Sequence, residues 1–164
     1  MPIVIPAVDI SESKEYVFTN NKPNIKKDIN KYITDISIGK AVRASSSFPA
    51  IFCPCEYNNH KFLDGGALDN IPVIEVKKLG VDKVLAVNFK ADDIDENSNI
   101  MDITMRTIDI MGNKISEKGL KKSDFILTIQ TDKTGLLDME KISSCYKYGY
   151  DTTIQKLDKI KELL

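Results

Sequence analysis

Apolar and polar positions along the chain fall into short blocks whose spacing changes between two and three or four residues. Ile3-Val4-Ile5-Pro6-Ala7-Val8 is a β-branched apolar run, and Glu15-Tyr16-Val17-Phe18-Thr19 alternates polar with apolar, so the two are expected to form a hairpin across Asp9 to Lys14. Asn20 to Lys31 is polar, Lys-rich and broken by Pro23, which reads as a loop with a weak helix start. Ile36 to Ala44 places Ile38, Ala41 and Val42 at helical spacing, and Pro49 limits that helix. Glu56 to Phe62 predicts a second hairpin that turns at Asn58-Asn59. Asp64-Gly65-Gly66 then reads as a tight turn. Beyond it, Asp69 and Asn70 are candidate caps of a short helix that has Pro72 in its first turn, Lys77 and Lys78 in its last, and Gly80 just past its end.

The second half alternates strand and helix. Val84-Leu85-Ala86-Val87-Asn88-Phe89 is the kind of run expected in a parallel strand covered on both faces. Met101, Met105, Ile108, Met111 and Ile115 follow at helical steps with one apolar face. Phe125 to Ile129 is another buried-strand candidate, and Ile142, Tyr146, Tyr150, Ile154, Leu157, Ile160 and Leu164 carry helical spacing to the end. The order predicts an α/β fold whose later part is a parallel sheet wrapped by helices, with no internal repeat and no dividing linker.

Composition narrows the function classes. With 23 basic and 24 acidic residues among 164, the net charge is −1, which argues against a nucleic-acid partner. No apolar stretch is long enough to cross a bilayer, and no export signal is visible at the amino end. Cys53, Cys55 and Cys145 make an odd count that fits a reducing, cytoplasmic setting. Cys53-Pro54-Cys55 lacks enough companion ligands for a zinc site, because His60 is the sole histidine, so no metal is expected there.

Most motif candidates fail on spacing. The glycines never form G-x-G-x-x-G or G-x-x-x-x-G-K-[ST], so no nucleotide cofactor is expected. Counted from Asp93, the acidic stretch Asp92 to Asn97 puts Ser98 at the glycine position of a calcium loop and Thr104 at its glutamate position, and a solvated loop fits better. His60, between Asn59 and Lys61, is expected to be an exposed polar residue. The lysines Lys156, Lys159 and Lys161 are interleaved with Asp158 and Glu162, as on a solvated face. Gly149 inside the last helix costs about 1 kcal/mol relative to Ala and is expected to mark close packing on the sheet. Asp64-Gly65-Gly66 survives: two glycines after a carboxylate permit positive φ and close approach of backbone or ligand.

Three blocks give this turn its context: Ala41-Val42-Arg43-Ala44-Ser45-Ser46-Ser47-Phe48-Pro49-Ala50-Ile51-Phe52, Phe62-Leu63-Asp64-Gly65-Gly66-Ala67-Leu68-Asp69-Asn70-Ile71-Pro72-Val73, and Gly80-Val81-Asp82-Lys83-Val84-Leu85-Ala86-Val87. In order and spacing they resemble the second half of the patatin-like phospholipase domain, and Pro6-Ala7-Val8-Asp9-Ile10 looks like that family's strand just upstream. The resemblance implies a three-layer α/β/α fold with a mostly parallel sheet. It implies a lipid acyl hydrolase that uses a Ser-Asp dyad without histidine, metal or other cofactor. Asp64 matches the dyad aspartate, with Gly65 and Gly66 as its active-site turn. The family's G-x-S-x-G nucleophile and glycine-rich oxyanion loop have no counterpart in this chain. Ser45, Ser46 and Ser47 follow a helical segment without flanking glycines and are expected to cap and pack the helix end.

Residues 1–164 are therefore expected to be the C-terminal portion of one such domain, with Met1 internal to a longer protein or an artificial start. Alone, the chain is expected to be inactive, with apolar sheet and helix surface open unless the missing half, a second copy or a swapped segment covers it. The implied partners are a lipid or ester substrate and a transient membrane surface. The alternative is a non-catalytic α/β module that acts by binding or assembly.

Overall fold

The computed structural model describes residues 1–24, 29–90, 99–131 and 139–163. Two of the sequence expectations, the acidic stretch Asp92 to Asn97 and the terminal Leu164, lie outside them.

Strands β1 (Val4–Asp9) and β2 (Lys14–Thr19) form the expected antiparallel hairpin, with Val4 opposite Thr19 and Asp9 opposite Lys14. A two-residue strand β3 (Tyr32–Ile33) runs parallel to β2 on its outer side. Helix α1 (Ile38–Ser45) starts at Ser37, whose side chain accepts from the Lys40 N–H. Strands β4 (Cys55–Tyr57) and β5 (His60–Asp64) form the second hairpin, and β5 also pairs antiparallel with β1, placing Asp64 opposite Ala7. Asn58 and Asn59 turn it with φ of 47° and 64°, the left-handed pair that suits the twist of a tight hairpin. The sheet order is β3-β2-β1-β5-β4. Three of its four pairings are antiparallel.

Parallel pairing outside β2 and β3 belongs to the second sheet. There β6 (Leu85–Lys90) and β7 (Phe125–Gln130) pair in register from Leu85 and Phe125 to Lys90 and Gln130. Between them runs α3 (Ile100–Leu120), opened by a capping box in which Asn99 and Asp102 exchange side-chain to backbone bonds. The short α2 (Val73–Lys77) precedes β6, while α4 (Ile142–Gln155) and α5 (Leu157–Lys161) close the chain. The architecture is α/β. Among the described residues no helix is long and apolar enough to cross a membrane.

The side chains of Ala7, Phe18, Phe62 and Asp64 share one face of the first sheet, which α1 covers with the buried Ala41 and Ala44. Phe18 and Phe62 meet edge to face at 5.1 Å between ring centroids. Val17, Glu15 and Tyr32 lie on the opposite face, toward α2. The predicted helical spacing of Ile38 and Val42 does not mark the buried stripe: both are exposed, and the small alanines let α1 approach the sheet closely. Nor is β6 covered on both faces, since Val87 and Phe89 stay 42% and 60% exposed while Ala86 on the other face is buried. On α3, Met101 and Met111 are exposed, and the helix buries Ser116 and Gly119 instead.

Candidate active site

Asp64 ends β5 and opens a single 3-10 turn, Gly65–Ala67. Its backbone N–H donates to the Ser47 carbonyl at 3.1 Å, tying the strand end to the end of α1. Its Oδ1 accepts the Gly66 N–H at 2.7 Å. Among the described residues, Oδ2 accepts no hydrogen bond. Burial pushes the carboxyl above its ordinary value, and the Gly66 N–H offsets only part of that rise.

The two glycines serve close approach. Neither has positive φ; among the described glycines Gly80 does, at 87°. A Cβ on Gly65 would stand 2.4 Å from the Pro6 carbonyl oxygen, inside van der Waals contact. A Cβ on Gly66 would stand 3.0 Å from Asp64 Oδ1 and 3.1 Å from Asn70 Oδ1. The expectation of left-handed backbone at this turn is thus replaced by one of space: β1 passes behind Gly65, and two side-chain oxygens close on Gly66.

The serines before Pro49 are tied to the end of α1. The Ser46 hydroxyl donates to the Val42 carbonyl and the Ser47 hydroxyl to the Arg43 carbonyl, each at 2.8 Å. Ser47 also accepts from Arg43 Nη1, and Arg43 reaches on to the Cys53 carbonyl at 3.0 Å. These bonds give Ser46 and Ser47 the helix-end role expected of them.

His60 departs from its expected exposure. The side chain is 25% exposed, and its Nδ1 lies 2.6 Å from Oδ2 of Asp9, itself 1% exposed. The other Asp9 oxygen accepts the Ser11 and Glu12 N–H groups at 2.7 and 3.0 Å. Burial alone would raise the Asp9 carboxyl, and these donors reverse the effect and hold it below its ordinary value. Asp9, Glu12 and His60 offer ligand atoms within 4.8 Å of one another. Both Asp9 oxygens are already engaged, which leaves too few donors to hold an ion. The pairing with a residue far away in sequence is what hides His60 from a reading of its neighbours.

On the opposite face lies a mixed ionic cluster. Glu75, 5% exposed, accepts from Tyr32 Oη at 2.6 Å, Lys78 Nζ at 2.8 Å and Lys31 Nζ at 3.0 Å; Lys31 also reaches Glu15 at 2.7 Å. Burial would raise the Glu75 carboxyl, yet these donors hold it below the usual range. One oxygen each of Glu15, Asp69 and Glu75 lies within 4.8 Å of the others, with the Lys31 ammonium supplying the positive charge there. Asp69, five residues past Asp64, is pushed up to about 6 by burial and then by the Glu15 and Glu75 charges.

Asn70 caps no helix: α2 starts at Val73 after Pro72, which offers no side-chain cap. Its amide instead donates to Ser116 Oγ of α3 at 3.0 Å. Asn70 stands in the motif block that follows the turn, but nothing local points to Ser116.

The sequence profile of the patatin-like phospholipase family matches residues 4–77. A lysophospholipase NTE1 of Candida albicans is 30% identical over 135 residues, covering 66% of this chain and 10% of that protein. That of Meyerozyma guilliermondii is 47% identical over 47 residues, covering 29% and 3%. The Eremothecium gossypii protein is 38% identical over 68 residues, covering 42% and 4%. The chain therefore spans a tenth or less of the length of these relatives. The matched stretch contains the Asp64 turn and the strands and helices that hold it, and over residues 4–77 the chain carries the sequence pattern of the patatin-like phospholipase family.

Proposed function

We propose that this chain supplies the general base, Asp64, of a Ser-Asp dyad that hydrolyses fatty acyl esters, with the serine nucleophile and oxyanion donors on a segment outside these residues. The observation that carries the reading is the division of labour within one carboxylate: Oδ1 is fixed by the Gly66 N–H, while Oδ2 has no described donor and is free to take a proton. In the reaction, the serine oxygen attacks the ester carbonyl carbon as Asp64 accepts the serine proton. Collapse of the tetrahedral intermediate expels the alcohol, which takes that proton from Asp64. Water then attacks the acyl-enzyme with Asp64 again as base, releasing the fatty acid and restoring the serine. A carboxyl raised by burial is a better base than an ordinary aspartate.

Two further features support the reading. The relatives carry lysophospholipase in their names, which favours a lipid ester with a single acyl chain as substrate. The exposed row Leu85, Val87 and Phe89 on β6 is apolar surface of the kind the rest of such a domain would cover. Contact with lipid surfaces is then transient and brought about by the substrate.

A fluorophosphonate probe tests the assignment. The 164-residue chain takes up no label, whereas the longer protein that includes its G-x-S-x-G is labelled and hydrolyses lysophospholipid. There, Asp64→Ala abolishes turnover. Labelling of any serine in the chain itself, or full activity of Asp64→Ala, overturns the reading.

A further inference from the structure

We infer that Asn70, clamped by Ser116 of α3, is the positioning residue that holds the Gly66 N–H against the Asp64 carboxylate. The inference rests on the dyad reading for its catalytic meaning, and on geometry for the clamp itself. The Ser116 hydroxyl donates to the Gly112 carbonyl one turn back along α3 at 2.7 Å, so its single proton is committed. Toward Asn70 it can only accept, at 3.0 Å, which fixes Nδ2 of the amide on Ser116. Oδ1 must then point the other way, to the side of Gly66 where Asp64 Oδ1 also stands. Both oxygens thus crowd the same side of Gly66, where a Cβ would stand, and the peptide that carries its N–H has little room to turn toward them.

The anchor beneath is rigid. Ser116 is 1% exposed, and a Cβ on Gly119 would stand 2.3 Å from the Ile71 carbonyl oxygen, so the strand of residues after the turn lies directly on the backbone of α3. The turn is closed from its other end by the Leu68 and Asp69 N–H groups, which donate to the Gly65 carbonyl at 3.1 and 2.9 Å. The longest helix thus fixes the segment from Gly65 to Ile71, and through it the orientation of one carboxylate. Positioning of this kind affects the chemical step more than binding, because the Gly66 bond orients the base and touches no substrate.

The Gly66 amide is the reporter in the chain itself. Asn70→Ala and Ser116→Ala each raise its hydrogen-exchange rate by about tenfold, as expected for loss of one ordinary hydrogen bond. Exchange at Leu127 in β7 stays unchanged, which separates local release from general destabilisation. Asn70→Asp places a second carboxylate beside Asp64 and moves the Asp64 carboxyl titration, followed by carbon NMR, upward by about one pH unit. In the longer, active protein both alanine variants lower kcat by about tenfold or more with KM within about twofold. Unaltered Gly66 exchange, equal acceleration at Leu127, an unmoved Asp64 titration, or a loss carried by KM would each overturn the clamp. If Asp64→Ala leaves turnover intact the dyad reading fails, while the exchange and titration measurements still decide the clamp.

Discussion

Replacing Asp69 by Asn should remove one component of the pH dependence of stability. Asp69 sits against Glu15 of β2 and Glu75 of α2, with Lys31 and Lys118 as the nearby cations, and is raised from 3.8 to about 6. An acid bound more tightly in the folded state stabilises the fold when protonated. Its contribution is full below about pH 4, the unfolded value, and is lost as pH rises through about 6. A rise of about two units at about 1.36 kcal/mol each gives about 3 kcal/mol, and partial solvent access reduces this to about 2 kcal/mol. The Asn variant has no such titration and keeps the same shape, while Glu15, Glu75, Lys31 and Lys118 are common to both proteins. Urea unfolding of the two chains at several pH values is the assay. The stability of Asp69→Asn relative to wild type should grow by about 2 kcal/mol between about pH 4 and about pH 7. A difference that stays constant across that range would refute the claim that its surroundings raise the Asp69 carboxyl.

Two glycine substitutions should move stability in opposite directions. Gly65→Ala forces a Cβ to 2.4 Å from the Pro6 carbonyl oxygen, where both partners are backbone, and should cost about 3 kcal/mol in urea unfolding; a change below about 0.5 kcal/mol would contradict the packing described for the turn. Gly149→Ala in α4 brings its Cβ no closer than 3.9 Å to Ile129 Cδ1, an ordinary contact, so the helix gains about 1 kcal/mol and Tm rises. A fall in Tm would mean that α4 lies closer to β7 than this.

Local pattern carried the elements well where the signal was itself local. The hairpin at Asn58-Asn59 and the turn at Asp64-Gly65-Gly66 are set by residues adjacent in sequence, and β6 and β7 announce themselves as apolar runs. The motif around Asp64 stands out in the sequence because it is contiguous. The pairing of β5 with β1 does not, since nothing in either strand specifies its neighbour. The faces of helices were harder. Helical spacing of Met and Ile on α3 suggests a buried stripe; Met105, Ile108 and Ile115 are half-buried along it, but full burial goes to Ser116 and Gly119, where backbone approach outweighs side-chain volume. Gly149 does face the sheet, as its place in the pattern suggested, though without the crowding that would exclude alanine. Charged residues were the least legible. Glu75, Lys31 and Glu15 come from three separate elements, and each alone reads as a surface residue until the fold brings them together. His60 and Asp9 are of the same kind: their bond spans 51 positions.

The row of apolar side chains on β6 also bears on how this chain behaves at high concentration. Among the described residues β6 pairs only with β7, so its other edge presents unpaired N–H and C=O groups beside Leu85, Val87 and Phe89. Such an edge is a template for a strand of another molecule, and Lys90 at its end is the single charge within the strand to discourage stacking. A charge introduced at Val87 should keep the chain dispersed without touching the turn that holds Asp64, because β6 and that turn belong to different sheets.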